Sequence, residues 1–183
     1  IHTGEPYNSG NGRAVPATED GNGMDCSGCQ FAAFKHAWEP DPAPLPLTST
    51  TGFALLAEHM GWWVDDQPSQ EGDLCLYCET GDVFHSDGPI GHVEMYGETL
   101  PNGLWRCWGS SGGGHGVGYR DRRPSFWNRR FRVPGLHDHS QPTLTPEQWA
   151  ALARALEELD VEHGQVVDGA IAAGGRKINL SRG

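Results

Sequence analysis

Four segments in the middle of the chain alternate between apolar and polar residues, and this period of two most constrains the fold. Successive side chains of a β-strand point to opposite sides, so such alternation is typical of strands. Between the second and third segments, ETLPNG carries Pro and an Asn-Gly pair, which favour a hairpin turn. The pattern predicts an antiparallel sheet with the strands GDLCLY (Gly72–Tyr77), GHVEMYG (Gly91–Gly97), LWRCW (Leu104–Trp108) and GVGYR (Gly116–Arg120).

Two helices are predicted before these strands. Asp25 is a favourable N-cap for a helix that starts near Cys26. Pro40 ends this helix, because the residue before a proline is pushed out of helical geometry. A second helix covers about 51–60 and is followed by a glycine, the usual left-handed terminator. We therefore expect an α+β domain in which the first helix packs on the antiparallel sheet.

The elements above fall within 1–137, which we take as one domain, and 138–183 reads as a linker and a C-terminal amphipathic helix. In LTPEQWAALARALEELD, Thr145 is the expected N-cap and Gln148 completes a capping box. After Gly164 the pattern fades into a polar end. Three roles are open for this helical appendage: packing on the domain, contacting a second copy, or contacting another domain.

Charge and hydropathy argue against some partners. The net charge of −11 argues against nonspecific binding to nucleic acid or anionic membranes. No run approaches the ~18 apolar residues of a membrane span. No signal peptide and no initiator Met open the chain, so we expect a mature form or a piece of a larger protein. Six arginines crowd into 120–132, which favours either a solvated face or a docking surface for a polyanion.

The five cysteines raise the question of a metal site. Cys26 and Cys29 form one CxxC pair, and Cys75 and Cys78 form another, so a structural Cys₄ zinc site is one hypothesis. The two pairs lie much further apart than in compact zinc ribbons, and neighbouring strand positions alternate in direction. We therefore favour small buried hydrophobes for four of the five, Cys26 excepted, and expect neither a metal nor a cofactor.

Cys26 differs because it opens a predicted helix. The positive end of a helix dipole favours a thiolate, and the small Ser27–Gly28 pair is expected to leave the sulfur accessible. A nucleophilic thiol needs a base. Of the nine histidines, His92 has the most site-like context, because it opens a strand directly after a glycine.

The same motifs occur in a family order. DCSG at a helix start, GDLCLY and then GHVEMYG resemble the NlpC-type papain-like cysteine peptidases of cell walls, and SFWNRRF resembles the aromatic–basic segment that closes many of these domains. The resemblance covers roughly Tyr7 to Phe131. It implies a papain-like fold with Cys26 as nucleophile and His92 as general base. The related CHAP amidase/peptidase group shares the Cys-then-His order and stays an alternative.

The resemblance also implies substrate contacts. Asp25 and Ser27 match positions that bind the free amine of the stem peptide, and Tyr7 matches an upstream tyrosine that lies over the nucleophile.

Two positions depart from the family pattern. The family orients its histidine with a His, Asn or Gln on the next strand, but Trp108 stands about there and its indole can only donate. We expect Trp108 to wall the substrate site instead. Ser110, whose hydroxyl can accept, is predicted to orient His92, with a backbone carbonyl of the glycine-rich turn or a water as alternatives. Glu94 replaces the usual glycine two residues after the base.

The expected function is hydrolysis of an amide bond in the peptidoglycan stem peptide by a Cys-His thiol mechanism. Peptidoglycan is then the partner and the bacterial cell wall the place of action, in a phage endolysin, a tail-associated lysin or a larger protein. Two alternatives stay open: an N-acetylmuramoyl-L-alanine amidase of the same architecture, and a non-catalytic, zinc-stabilised module that binds wall polymers.

Overall fold

The computed structural model describes residues 24–38, 49–84, 91–112, 115–135, 170–173 and 176–179. Among them, no helix is long and apolar enough to cross a membrane. Along the chain, both helices precede all strands of the main sheet. In chain order the elements are α1 (Cys26–Trp38), α2 (Thr50–Met60), β1 (Leu74–Cys78), β2 (Gly91–Thr99), β3 (Trp105–Ser111), β4 (Gly116–Arg122), β5 (Arg129–Phe131), β6 (Ala170–Ala173) and β7 (Arg176–Asn179).

Strands β1 to β5 form one antiparallel sheet in the order β4-β3-β2-β1-β5. Strand β2 is central, and its first residues pair with the end of β1, so that His92 lies opposite Tyr77. A register shift between Tyr96 and Glu98 interrupts the pairing of β2 with β3. The expectation of an α+β domain with an antiparallel sheet is confirmed.

Side-chain and glycine caps fix the helix ends where the sequence predicted them. The carboxylate of Asp25 accepts a hydrogen bond from the Gly28 backbone N–H at 2.7 Å, which starts α1 at Cys26. The hydroxyl of Ser49 accepts from Gly52 in the same way and starts α2. Gly61 ends α2 in the left-handed region, with φ of 66°.

The core lies where the helices meet the sheet. Helix α1 contacts β2 and β3, and α2 contacts β2. The larger apolar cluster joins Phe34 of α1 and Phe53 of α2 to Leu76 and Val93 of the sheet. A smaller cluster joins Met24, Cys29 and Val117, with Ala32 and Trp108 packed against it. The larger cluster includes Cys26 itself and the smaller one includes Met24 and Cys29, so the start of α1 is anchored in both.

Three strands were missed from the sequence. The segment SFWNRRF contains β5, whose three residues are too few to show a period of two. The expected polar end after Gly164 instead holds an antiparallel pair, with Ala173 opposite Arg176. The predicted helix at 144–160 and the boundary at 137/138 lie outside the described residues.

Most of the clustered arginines are engaged within the domain. Arg132 makes two hydrogen bonds to the buried Asp73 carboxylate, at 2.7 and 3.0 Å. Arg129 pairs with Asp65 at 2.6 Å, and Arg130, itself buried, donates to the Val64 carbonyl at 2.6 Å. Of the three, only Arg130 is buried, so the expectation of a solvated or polyanion-docking face is wrong for Arg130 alone. All three hold β5 and the segment after α2 together.

Gly109 lets the side chains of Glu94 and Gln30 approach the backbone of β3 more closely than any amino acid with a side chain would permit. A Cβ at this position would lie 2.9 Å from Cγ of Glu94 and 3.1 Å from Nε2 of Gln30. We expect Gly109→Ala to lower the free energy of unfolding by about 1–3 kcal/mol through overpacking. Gly61→Ala is the comparison, because its Cβ meets nothing within 4 Å and only the positive φ is strained, at about 1 kcal/mol.

Urea unfolding of both variants checks this prediction. Gly109→Ala should also disturb the ionisation of His92 through Glu94, whereas Gly61→Ala should not. Equal ionisation of His92 in the two variants would contradict the close packing of Glu94 against Gly109.

Candidate active site

Cys26 is the first residue of α1, and its position follows from the Asp25 cap. Besides the Gly28 amide, the Asp25 carboxylate accepts from the Ser27 hydroxyl at 3.1 Å. The sulfur therefore lies at the end of the helix where partial positive charge accumulates. Cys26 is only 6% exposed, so the sulfur is less accessible than the small residues after it led us to expect.

His92 lies beside this thiol. Cys26 raises the pKa of His92, so the two side chains interact, although 65 residues separate Cys26 from Gly91, the start of β2. The ring atom Nε2 of His92 lies 3.0 Å from Oε1 of Glu94. The site thus combines a thiol, an imidazole and a carboxylate, the set of groups that activates a nucleophile.

Glu94 is fully buried and highly coordinated. Two residues along a strand return to the same side, so β2 presents His92 and Glu94 together. Ser111 donates its hydroxyl to Oε1 at 2.8 Å. Arg122 donates from Nη2 to Oε1 at 2.7 Å and from Nε to Oε2 at 3.1 Å. Because a buried carboxylate is costly without partners, these contacts are needed to keep it ionised.

The charged side chains of this group shift one another's pKa values. Burial alone would lower the pKa of His92, but its hydrogen bonds to Cys26 and Glu94, and their negative charge, outweigh burial and raise the pKa to about 9. Burial alone would raise the pKa of Glu94, but hydrogen bonds to His92 and Arg122 lower it to about 2. At neutral pH the site therefore holds an imidazolium against a carboxylate.

Aromatic rings cover the imidazole. The indole of Trp127 stacks on the His92 ring, with centroids 6.2 Å apart and an angle of 14°. Phe126 packs edge-on against Trp127 and lies under the Arg122 guanidinium at 5.1 Å. The segment SFWNRRF thus shields the His92–Glu94 contact from water, which strengthens it.

The prediction that Ser110 orients His92 is corrected by this geometry. Ser110 is buried and donates its hydroxyl to the Met24 carbonyl at 2.7 Å, which ties β3 to the start of α1. The neighbouring Ser111 is the serine near the imidazole, with Oγ 3.3 Å from Nε2. Adjacent strand residues point to opposite sides, and the prediction chose the wrong one of the pair.

Of the four residues predicted to contact substrate, three lie within the described part of the chain, and their side chains have structural roles. Trp108 packs against the cluster of Met24, Cys29 and Val117, so much of its side chain is used in packing. Asp25 and Ser27 are 4% and 2% exposed and belong to the helix cap. Tyr7 lies outside the described residues.

The cysteines other than Cys26 are buried, as the sequence predicted. Cys75 and Cys78 lie within β1, and Cys29 lies in the first turns of α1. Burial and a hydrogen bond to Cys107 raise the pKa of Cys75 well above its ordinary value, which leaves that thiol protonated. Across the described part of the chain, no group of three or more His, Cys, Asp or Glu is placed to hold a metal ion.

Sequence reasoning missed Glu94, Ser111 and Arg122 as parts of the site. One signal was present: a His-x-Glu pattern on a strand places both side chains on one side, next to each other. The role of Arg122 had no local signal, because it reaches Glu94 from β4, 28 residues further along the chain.

No family model, no curated protein and no solved structure matches this chain. The resemblance to the NlpC-type peptidases therefore rests on the short motifs alone.

Glu94→Gln tests the electrostatics of the site. The variant keeps an acceptor for Arg122 but removes the negative charge, so the pKa of His92 should fall from about 9 towards its ordinary 6.5. In the wild type, a raised pKa stabilises the fold fully below pH 6.5, and this stability is lost as the pH rises through about 9. In the variant this contribution should be smaller and should be lost completely at a lower pH, because the loss still begins near 6.5 but ends at the lowered pKa of His92.

Ring NMR of His92 during a pH titration measures the shift, and Glu98→Gln is the matched control. Glu98 lies on the same strand but pairs with Arg106 at the surface. A His92 pKa that is unchanged by Glu94→Gln, or lowered equally by Glu98→Gln, would contradict this description.

Proposed function

We propose that the chain is a papain-like cysteine peptidase that hydrolyses an amide bond in the peptidoglycan stem peptide. The observation that supports this best is the group of Cys26, His92 and Glu94. A thiol at a helix start that interacts with an imidazole, which a buried carboxylate in turn orients, has the chemistry of acyl transfer.

The proposed reaction begins with the thiolate of Cys26 attacking the amide carbonyl carbon. A carbon–sulfur bond forms, and the carbonyl oxygen takes the negative charge. The backbone N–H groups of Cys26 and Ser27 at the helix start donate hydrogen bonds to this oxyanion. His92, as imidazolium, gives its proton to the leaving amine while the carbon–nitrogen bond breaks. A water then gives a proton back to His92 and attacks the thioester, which releases the acid and restores the thiolate.

Glu94 and its partners position the imidazole throughout these steps. Arg122 neutralises the carboxylate, so His92 meets an oriented acceptor without an unpaired buried charge. With a thiolate, the group contains two positive and two negative charges, and it stays balanced when the proton moves. This arrangement replaces the family's usual orienting residue with one on the same strand as the base.

Peptidoglycan is proposed as substrate from the resemblance of DCSG, GDLCLY and GHVEMYG, in that order along the chain. In the same proposal the enzyme acts at the bacterial cell wall, as a phage endolysin, a tail-associated lysin or part of a larger protein. An amidase that separates glycan from peptide would use the same three residues, and the masses of the released fragments distinguish the two reactions.

Cys26→Ala should abolish the release of dye-labelled fragments from purified peptidoglycan, because the nucleophile is removed. Cys78→Ala is the matched control: it should retain activity and cost roughly 1–2 kcal/mol of stability, since that thiol is buried and is not the nucleophile. Full activity in Cys26→Ala would overturn the mechanism.

The substrate role of Asp25 is separable from its capping role. Asparagine caps a helix nearly as well as aspartate, so Asp25→Asn should retain stability, whereas Asp25→Ala should lose about 1 kcal/mol. If the carboxylate also binds the free amine of the stem peptide, Asp25→Asn should lower kcat/KM for that substrate. Unchanged kcat/KM in a stable Asp25→Asn would restrict Asp25 to the cap.

A further inference from the structure

Thr50 approaches the Cys26 sulfur from a second helix. It is the first residue of α2, is 8% exposed, and its hydroxyl oxygen lies 3.8 Å from Sγ of Cys26. Cys26 is itself the first residue of α1. Two helix starts, 24 residues apart in sequence, therefore meet at one sulfur atom.

Three elements hold the Thr50 hydroxyl in this place. Ser49 caps α2 and fixes where the helix begins. Gly91, the first residue of β2, lies against the threonine: a Cβ there would come within 3.3 Å of Cβ and 3.7 Å of Oγ1 of Thr50. A larger residue at Gly91 would displace the threonine, so the contact depends on β2 as well as on both helices.

The two polar neighbours of the sulfur differ in what they can do. The Gly91 carbonyl oxygen, 4.0 Å from Sγ, can only accept a hydrogen bond, so it interacts favourably with the thiol. The Thr50 hydroxyl can also donate, and hydrogen bonds to an ionised acceptor are about twice as strong as neutral ones. Of these two contacts, the one to Thr50 becomes stronger when the thiol loses its proton.

We propose that Thr50 is a further catalytic residue, which donates a hydrogen bond to the Cys26 thiolate and stabilises it before attack. This deepens the proposed function, since it takes Cys26 as the nucleophile. The start of α2 adds its partial positive charge to that of α1 at the same atom. In this proposal His92 holds the transferred proton, and the Thr50 hydroxyl donates to the charged sulfur.

The test measures how the rate of Cys26 alkylation by iodoacetamide depends on pH. In this reaction the thiolate sulfur forms a bond to carbon and iodide leaves, so the rate follows the thiolate fraction and needs no peptidoglycan. Mass spectrometry of the peptide containing Cys26 separates it from the other cysteines. A protein that alkylates as expected but hydrolyses nothing would reject the proposed function and leave the role of Thr50 intact.

Thr50→Val removes the hydroxyl and keeps the shape, so the alkylation profile should move to higher pH by about one unit. At a pH below the midpoint this is about a tenfold slower reaction. Thr50→Ser keeps the hydroxyl and should follow the wild type. Thr50→Ala gives the same comparison if the valine variant does not fold, and circular dichroism establishes which variants are folded.

Thr51→Val is the control, because it makes the same chemical change at the next residue of α2. A wild-type profile in folded Thr50→Val or Thr50→Ala would overturn the proposal. An equal shift in Thr51→Val would overturn it too, since the effect would then come from α2 in general. A shift confined to the variants without the Thr50 hydroxyl supports it.

Discussion

The buried carboxylate of Glu94 is the contact on which the site depends. Its oxygens receive hydrogen bonds from Ser111 of β3 and Arg122 of β4, and one of them meets His92 of its own strand. Three neighbouring strands therefore have to be in register before the imidazole is oriented. Gly109 completes this arrangement, because only a residue without a side chain lets Glu94 pack so closely.

Two of the clustered arginines pair with buried carboxylates inside the domain. Arg122 stabilises Glu94, and Arg132 stabilises Asp73, which is likewise fully buried. Each is a two-point contact between guanidinium and carboxylate, the geometry in which such pairs are strongest. The arginine cluster thus helps to hold the sheet together, whereas the sequence had favoured a surface role for it.

Local signals predicted most of the fold and the two central residues of the site. Asp25 and Gly61 fixed helix ends because caps act within one turn, and alternation fixed four strands. The orienting residue was not found, because it was sought on the next strand, whereas Glu94 lies on the same strand as His92. On the next strand, Ser110 and Ser111 differ only in which side of β3 they face. Arg122 and Thr50 reach the site from distant segments, and a single sequence contains no local signal for such contacts.

The most direct measurement is the mass spectrum of fragments released from purified peptidoglycan by the wild type and by Cys26→Ser, at equal amounts of folded protein. The account predicts that the wild type releases fragments with one new amine and one new carboxyl group in the stem peptide, and that Cys26→Ser releases none. Identical fragments from both proteins, or wild-type fragments cut only between sugars, would contradict it.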